Sequence, residues 1–348
     1  MEGTVHQAGD LRTRYQSDRW LFATRGSRIA GLIGVIVLCI LPLQIDGLPS
    51  VSSYWLALII QMGCYGIAAL GLNILFGFTG QISFSQAAFF GFGAFASAYL
   101  SGKLGVPVVI SIPLAGVATA CLGAIICMPA RRLKALYVAI ATLAVQFIIQ
   151  DFFSRAEWFT GGVAGAKALP FSLFGVELSG DRHFLYVVLF FLVVMSVFAA
   201  NLMRTRDGRA LVAMRDHSQA AEMMGIHLAH YRTLAFAIAS FYAGIGGALL
   251  AHHTSVVSIA PFDLLASINL LAMVIIGGLA SVPGSLIGAV FMLGLPELTQ
   301  VIARGMDFTI GSAYIKEMAI GLAILLFLIV EPDGIAARWR NLYAKWRR

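Results

Sequence analysis

The chain has 348 residues, of which 59% are hydrophobic and only 12% are charged, with a formal net charge of +7. Soluble domains carry about a quarter charged residues, so this composition excludes a soluble globular protein. Apolar windows long enough to cross a hydrocarbon layer of about 30 Å recur along the whole chain. We therefore predict an all-α polytopic membrane protein, and the basic excess does not by itself indicate affinity for nucleic acid.

The apolar pattern predicts about ten transmembrane helices. Their approximate ranges are 29–45, 54–78, 83–101, 106–128, 135–153, 184–200, 233–251, 264–279, 285–303 and 314–330. With both termini in the cytoplasm, eighteen of the 24 Lys and Arg residues fall on the inner side and six on the outer side. Basic residues concentrate in cytoplasmic loops, so this split favours ten spans with both ends inside.

The spans divide the chain into three parts. Residues 1–28 form a polar, basic cytoplasmic tail, residues 29–330 a transmembrane domain, and residues 331–348 a second basic cytoplasmic tail. The longest external segment, residues 151–183, is rich in Gly and carries both signs of charge. It folds over the outer mouth, contacts a soluble protein, or simply connects two helices, since loops of this length are often functional.

Uncharged polar residues collect between the second and third spans. They lie in a region with no charged residue from position 47 to 102, and they are Asn73, Gln81, Ser83, Ser85 and Gln86. Polar groups at such depth are tolerated at the bundle interior, at a broken helix or along a watery path. We interpret them as lining a translocation path; the alternative is that they join helices by hydrogen bonds. A comparable Gly- and Ser-rich break at 277–289 suggests an internal repeat.

Residues 204–232 are the longest charged interruption in the second half of the chain, and their basic excess predicts a cytoplasmic loop. Asp216 or Ser218 is a suitable N-cap for a short helix, residues 219–224 are good helix formers, and Gly225 is a natural stop. A short helix between two spans suits docking of a cytosolic partner. The alternative is a solvated loop that happens to be helical.

No motif for chemistry is present. The sequence contains no G-x-x-x-x-G-K-[ST], no H-E-x-x-H and no G-x-S-x-G, and no catalytic residue or metal site is predicted. A metal site at His252 and His253 would need more ligands than the nearby Asp263, so we interpret these histidines as interfacial anchors. The span centres are nearly free of charge, so a transporter of this kind takes its driving energy from another chain.

Three blocks carry a family resemblance. Residues 71–94 (GLNILFGFTGQISFSQAAFFGFGA), residues 208–216 and 220–226 (GRALVAMRD and AAEMMGI) and residues 275–289 (IIGGLASVPGSLIGA) resemble the LivM-type permeases of branched-chain amino acid ABC importers. Coupling loops of many ABC importer permeases share the pattern Glu-Ala-Ala-x-x-x-Gly. Residues 219–225 keep its spacing, but Gln219 replaces the first Glu, which puts in question an ionic contact from that position.

The resemblance implies a coupling segment for ATPase subunits. Its expected residues are Arg209, Arg215, Asp216, Gln219, Ala220, Ala221, Glu222 and Gly225. The implied partners are a second related permease, two cytosolic ATPase subunits that bind ATP and Mg²⁺, and a periplasmic solute-binding protein. This chain then holds no cofactor and lies in a bacterial inner membrane.

The substrate that the resemblance implies first is a branched-chain amino acid. Similar permeases serve urea, short amides and aromatic acids, and these stay open as alternatives. A stand-alone channel is the rival from another class, and the organised coupling segment disfavours it.

Overall fold

The computed structural model of this protein describes residues 52–130, 135–173, 176–177 and 180–305, together with the single positions 321 and 335. Apart from those two positions, the predicted spans at 29–45 and 314–330 and both predicted tails lie outside the described residues. The short basic loop with Arg131, Arg132 and Lys134 lies outside them as well.

Long α-helices form most of the described chain, as expected for an all-α membrane protein. Eight of them coincide with predicted spans: α1 (Ser53–Thr79), α2 (Gln86–Gly102), α3 (Val108–Ala130), α4 (Ala135–Arg155), α6 (Asp181–Leu202), α9 (Leu228–Thr254), α10 (Leu264–Gly277) and α11 (Val282–Gly305). Short helices α5 (Glu157–Thr160), α7 (Arg206–Asp216) and α8 (Ser218–Met223) lie between them. Among the described helices, five are long and apolar enough to cross a membrane, namely α1, α3, α4, α6 and α9.

Helix α9 lies at the centre of the bundle and packs against α1, α2 and α3. These contacts are close because small residues face backbone: a Cβ on Gly247 would overlap the carbonyl oxygen of Phe90, and one on Gly93 would overlap the backbone of Gly244. Lipid offers no hydrophobic force between helices, so close packing of small residues holds such helices together. The many glycines therefore serve the packing of the helices.

The outer helices expose apolar side chains. Most of α1 and α9 is buried, whereas most of α3, α4 and α6 is not. Large side chains such as Ile110, Ile148 and Phe190 are more than half exposed on these helices. Apolar outward faces of this kind suit lipid or another membrane chain.

The bundle has two distinct ends. One end, the polar-loop end, carries residues 204–232 and the helix breaks at 80–85 and 278–281. The opposite end, the cap end, carries residues 103–107, 156–173 and 252–263. Contacts join the segments within each end, as when the Lys103 ammonium donates to the carbonyl of Trp158 at the cap end. Segments predicted on the same side of the membrane therefore lie at the same end.

Residues 156–173 fold over the cap end. Strand β1 (Ala166–Lys167) pairs antiparallel with the last of the four short strands, β4 (Val256–Val257), which follows α9. Strands β2 (Ser172–Leu173) and β3 (Val176–Glu177) form a separate pair. Beneath the cap, rings from α2, α4 and α5 form a chain of contacts in which neighbouring ring centres lie within 7 Å. The rings are those of Phe95, Tyr99, Phe153, Trp158 and Phe159. The described part of the 151–183 segment thus packs over this end of the bundle, and contact with a soluble protein stays a prediction.

His252 ties this cap to the helices. Its Nδ1 lies 2.7 Å from the carbonyl oxygen of Leu169, and its Nε2 lies 2.8 Å from Ser97 Oγ. Only 4% of the residue is exposed, so the prediction of an interfacial anchor was wrong for His252. Both ring nitrogens of His252 have hydrogen-bond partners inside the protein. The apolar sequence around His252 did not indicate these partners. Asp263, the other metal-ligand candidate, caps α10 by accepting from Ala266 N at 2.8 Å.

Candidate functional site

The coupling segment predicted at 204–232 forms two consecutive helices, α7 and α8, at the polar-loop end. Thr205 caps α7, because its Oγ1 accepts a hydrogen bond from Gly208 N at 3.2 Å. The N-cap of α8 is His217, with no side-chain cap bond, so the expected caps Asp216 and Ser218 were wrong. Gly225 does end the segment: its φ is +85°, and Ile226 N donates to Ala221 O at 3.0 Å.

The eight residues predicted to contact an ATPase lie together on this segment. Seven of them are exposed, namely Arg209, Arg215, Asp216, Gln219, Ala220, Glu222 and Gly225. Ala221 is buried and faces the bundle. The segment is therefore anchored by one face and presents the other to solvent.

The anchor is an apolar cluster at the polar-loop end. Leu211 and Met214 of α7 pack with Leu75 of α1 and with Phe236 and Ala239 of α9. Because these side chains are buried between helices, a shift of α7 would disturb its packing against α1 and α9. On the outer face, Met223 is 91% exposed and Met224 86% exposed. Two neighbouring exposed methionines make this face apolar and conformationally adaptable.

Arg215 links the segment to the end of α1. Its Nη1 donates to the carbonyl oxygen of Gly77, one of the last carbonyls of α1 that helical bonds leave without a partner. A cation is favourable at this end of a helix because the helix dipole is negative there. Gly80, with φ +71°, follows the end of α1 and lies directly against Arg215. Part of the Arg215 side chain thus contacts the bundle, although the residue is exposed.

The chain between α1 and α2 re-enters the bundle without helical structure. Gln86 Nε2 lies 3.4 Å from the carbonyl oxygen of Ala68 and 3.1 Å from that of Ala239. Ala68 precedes Thr79 by eleven residues, so Gln86 lies roughly 16 Å inward from the end of α1 at 1.5 Å per residue. Residues 80–85 therefore lead from the polar-loop end back between the helices, where α2 begins.

The five predicted path residues are all buried, with at most 5% of each exposed. Four of them lie in the break at 80–85 or directly after it. Gln81 Nε2 donates to Thr79 Oγ1 at 3.2 Å, and Ser83 Oγ lies 3.1 Å from Ser85 Oγ. Gln86 Oε1 has no partner within the described part of the chain. The structure does not bring Asn73 to this group. Its side chain contacts the second break, at Ala280, Ser281 and Ser285.

Side chains from two other helices accept hydrogen bonds from the backbone N–H groups at the start of α2. Thr142 Oγ1 accepts from Phe84 N at 3.0 Å, Gln146 Oε1 accepts from Ala88 N at 3.0 Å, and Ser267 Oγ accepts from Ala87 N at 2.9 Å. Backbone donors inside a membrane protein need such partners. Sequence reasoning missed these three residues. Thr142 and Gln146 stand four positions apart in an apolar span, a spacing that places them on one helix face and could have indicated them.

A cavity of about 150 Å³ lies beside this capped break. Side chains of α3, α4 and α9 line it, and they are Ile126, Cys127, Pro129, Ala141, Thr142, Val145 and Phe236. Its wall is almost entirely apolar, with Thr142 as the polar exception. Within the described residues, no group of three or more His, Cys, Asp or Glu side chains could hold a metal ion.

Comparison with known proteins agrees with the family resemblance and covers most of the sequence. The profile of a family described as the permease component of branched-chain amino acid transport systems matches residues 54–330. The high-affinity branched-chain amino acid transport system permease protein LivM of Salmonella typhimurium is 31% identical over 295 residues, covering 78% of this chain and 67% of that protein. LivM of Escherichia coli is 30% identical with the same coverage.

Several more distant relatives are named LivH. A probable branched-chain amino acid transport permease protein LivH of Methanocaldococcus jannaschii is 25% identical over 285 residues, covering 79% of this chain and 90% of that protein. No solved structure matches the chain.

Proposed function

Because the chain belongs, as a LivM-type member, to the family of branched-chain amino acid transport permeases, we propose that it is the membrane-spanning subunit of an ATP-driven importer. The observation that carries the ATP-driven part is the α7–α8 segment, which is anchored by Leu211 and Met214 and exposes Met223 and Met224. An anchored apolar contact site at a bundle end suits a partner that pushes on the helices.

The proposed assembly has four kinds of subunit. The relatives named LivM and LivH support a second, related permease beside this chain. Two cytosolic ATPase subunits bind ATP and Mg²⁺ and contact α7 and α8, and a periplasmic binding protein delivers the substrate at the cap end. This chain holds no cofactor of its own. The protein then has ten spans with both ends in the cytoplasm and lies in a bacterial inner membrane.

The proposed mechanism needs only a difference in affinity between two states of the bundle. Closure of the ATPases moves α7 and α8, and the apolar anchor passes that motion to α1 and α9. A partner that binds one state more tightly shifts the population toward it. The substrate path opens beside the break at 80–85, where the path residues Gln81, Ser83, Ser85 and Gln86 offer uncharged polar groups. The unpartnered Gln86 Oε1 supports this position, because a buried acceptor is satisfied when a donor or water reaches it.

The substrate is proposed from the relatives, which are named for branched-chain amino acid transport. Urea, short amides and aromatic acids are the alternatives in the same importer class. Ligand screening of the binding protein separates them: tight binding of leucine, isoleucine or valine supports the proposal, and preference for urea or an aromatic acid contradicts it.

Co-purification tests the assembly. When the four components are expressed together and extracted in mild detergent, we expect the ATPase subunits to purify with this chain. The double substitution Met223→Glu with Met224→Glu should lower ATPase recovery at least fivefold, because it places charge in an apolar contact. Leu104→Glu is the matched control: Leu104 is 60% exposed at the cap end, and this variant should retain the ATPases.

The rival function, a stand-alone facilitator, predicts a different result in a transport assay. If the intact chain, reconstituted alone in liposomes, moves leucine down its gradient at a rate comparable with the complex, the protein is a stand-alone facilitator. Equal ATPase recovery from the Met223/Met224 variant and the Leu104 control would also contradict the proposed contact.

A further inference from the structure

Asn73 uses its whole amide group to hold the break between α10 and α11. Its Oδ1 accepts from Ala280 N at 2.9 Å, while its Nδ2 donates to Ser281 O at 2.8 Å and to Ser285 Oγ at 2.7 Å. The residue is 1% exposed, so water does not compete for these bonds. One side chain on α1 therefore fixes a segment more than 200 residues later in the chain.

The break that Asn73 holds contains two residues with positive φ. Ala280 has a φ of +57° and Gly278 a φ of +117°. A non-glycine residue is strained in the left-handed region, so it persists there only where its surroundings impose that conformation. The bond from Ala280 N to Asn73 is one such restraint. We expect that, without that bond, Ala280 relaxes toward an ordinary right-handed or extended conformation.

The same face of α1 contacts the α7–α8 segment. Gly77 lies one helical turn after Asn73, and its carbonyl oxygen accepts from Arg215 Nη1. A Cβ on Gly77 would overlap Asn73 Oδ1 and come within 2.5 Å of Ala280 N. Arg215, Gly77, Asn73 and Ala280 thus form one continuous chain of contacts from α7 to the break.

We propose that Asn73 is a positioning residue that transmits movement of α7 and α8, through Arg215 and the end of α1, to the break between α10 and α11. The proposal rests on the proposed function, because it presumes that ATPase subunits move that segment. It gives Asn73 a role apart from the other path residues: it sets the conformation of a break and does not contact the substrate. Spatial continuity alone does not establish coupling, so the test measures coupling itself.

The test uses the complete transporter in proteoliposomes and measures radiolabelled leucine uptake and ATP hydrolysis in the same vesicles. Asn73→Ala removes all three bonds, and we expect the amount of leucine taken up per ATP hydrolysed to fall at least fivefold while the subunits stay assembled. Arg215→Ala, at an exposed position, should lower the same ratio. The double variant should lose no more than the stronger single variant, since both break one line of contacts.

Ser111→Ala is the control for a merely structural effect. Ser111 is buried and hydrogen-bonded to Ser97 at 3.0 Å, but it lies at the cap end. This variant should lower thermal stability by an amount similar to Asn73→Ala and leave the uptake per ATP unchanged. If uptake and hydrolysis of the Asn73 variant instead fall together, in proportion to the assembled complex, the residue only stabilises the fold and the inference is overturned.

Other outcomes distinguish this inference from the proposed function. A wild-type ratio in both Asn73→Ala and Arg215→Ala overturns the inference while the importer stands. Losses that multiply in the double variant also overturn it, because they show two independent effects. If Asn73→Ala yields no assembled complex, Arg215→Ala decides by itself. Failure of the wild-type complex to bind ATPases or to import leucine overturns the proposed function, and the inference with it.

Discussion

Gln146 shows what one uncharged side chain does in this protein. Its Oε1 accepts from Ala88 N at 3.0 Å and from Ser267 Oγ at 3.1 Å, and its Nε2 donates to the carbonyl oxygen of Phe262 at 2.9 Å. Three elements thus meet on one amide: the start of α2, helix α10 and the turn that precedes α10. The residue is fully buried, so no water replaces a lost partner.

Replacing Gln146 by Leu should destabilise the protein by about 2 kcal/mol or more, because each buried polar group left unpaired costs roughly 1–3 kcal/mol. Denaturation of the purified protein in mixed micelles measures this free energy of unfolding. Gln150→Leu, one turn later on α4 and only half-buried, is the control and should change stability by less than about 0.5 kcal/mol. Equal stability of the two variants would show that the cap of α2 does not depend on Gln146.

At the scale of helices, the contact between α2 and α9 decides the packing of the centre. Gly93 and Gly244 face each other, and Gly247 lies against the carbonyl oxygen of Phe90. Backbones that approach this closely leave no room for even a methyl group. Dispersion attraction between close-packed atoms then takes the role that hydrophobic burial has in a soluble core.

Gly247→Ala should therefore destabilise the bundle by about 1–3 kcal/mol, the usual cost of overpacking a close contact. Thermal melting of the detergent-solubilised protein reports it as a lowered Tm. Gly294→Ala provides the comparison within α11, since its added Cβ would meet only Met62 Cε at 3.7 Å, an ordinary contact. That variant should melt within a degree or two of the wild type or slightly above it, because Ala favours a helix over Gly by roughly 1 kcal/mol. A similar Tm for both variants would refute the close contact.

At the scale of the whole molecule, the two ends differ in structure and in proposed environment. The cap end is closed by residues 156–173 and by β4, and the polar-loop end presents α7 and α8. The two ends are joined by α9, which runs from Leu228 to Thr254 through the centre of the bundle. The proposed orientation puts the polar-loop end in the cytoplasm, as its basic residues favour.

Cysteine labelling tests this orientation. In a variant with the four native cysteines replaced, Lys167→Cys on the exposed side of the cap should react with a membrane-impermeant maleimide applied to intact spheroplasts. Met223→Cys, at a position that is also exposed, should react only in inside-out vesicles or after permeabilisation. The reverse pattern would place α7 and α8 outside, beyond the reach of a cytosolic ATPase.

The sequence alone was sufficient for the class of protein and for much of its organisation. Long apolar runs predicted eight of the described helices, as α6 at Asp181–Leu202 against the predicted 184–200 illustrates. The basic excess of residues 204–232 predicted the loop that holds α7 and α8. The three sequence blocks predicted the LivM-type family, which the comparisons confirm. These features are local: apolar run length, loop charge and motif spacing are properties of contiguous residues.

Only the tertiary structure decided which polar residues meet. From the sequence, Asn73 was grouped with Gln81 and Gln86, yet its side chain binds the break at 278–281 and Ser285 just beyond it. His252 looked like a surface anchor and is instead buried against Ser97. The sequence did not single out Thr142, Gln146 and Ser267, which cap α2 from distant helices. Such partnerships depend on how helices rotate and pack against one another, and the pattern of hydrophobicity within one helix does not specify its neighbour's side chains.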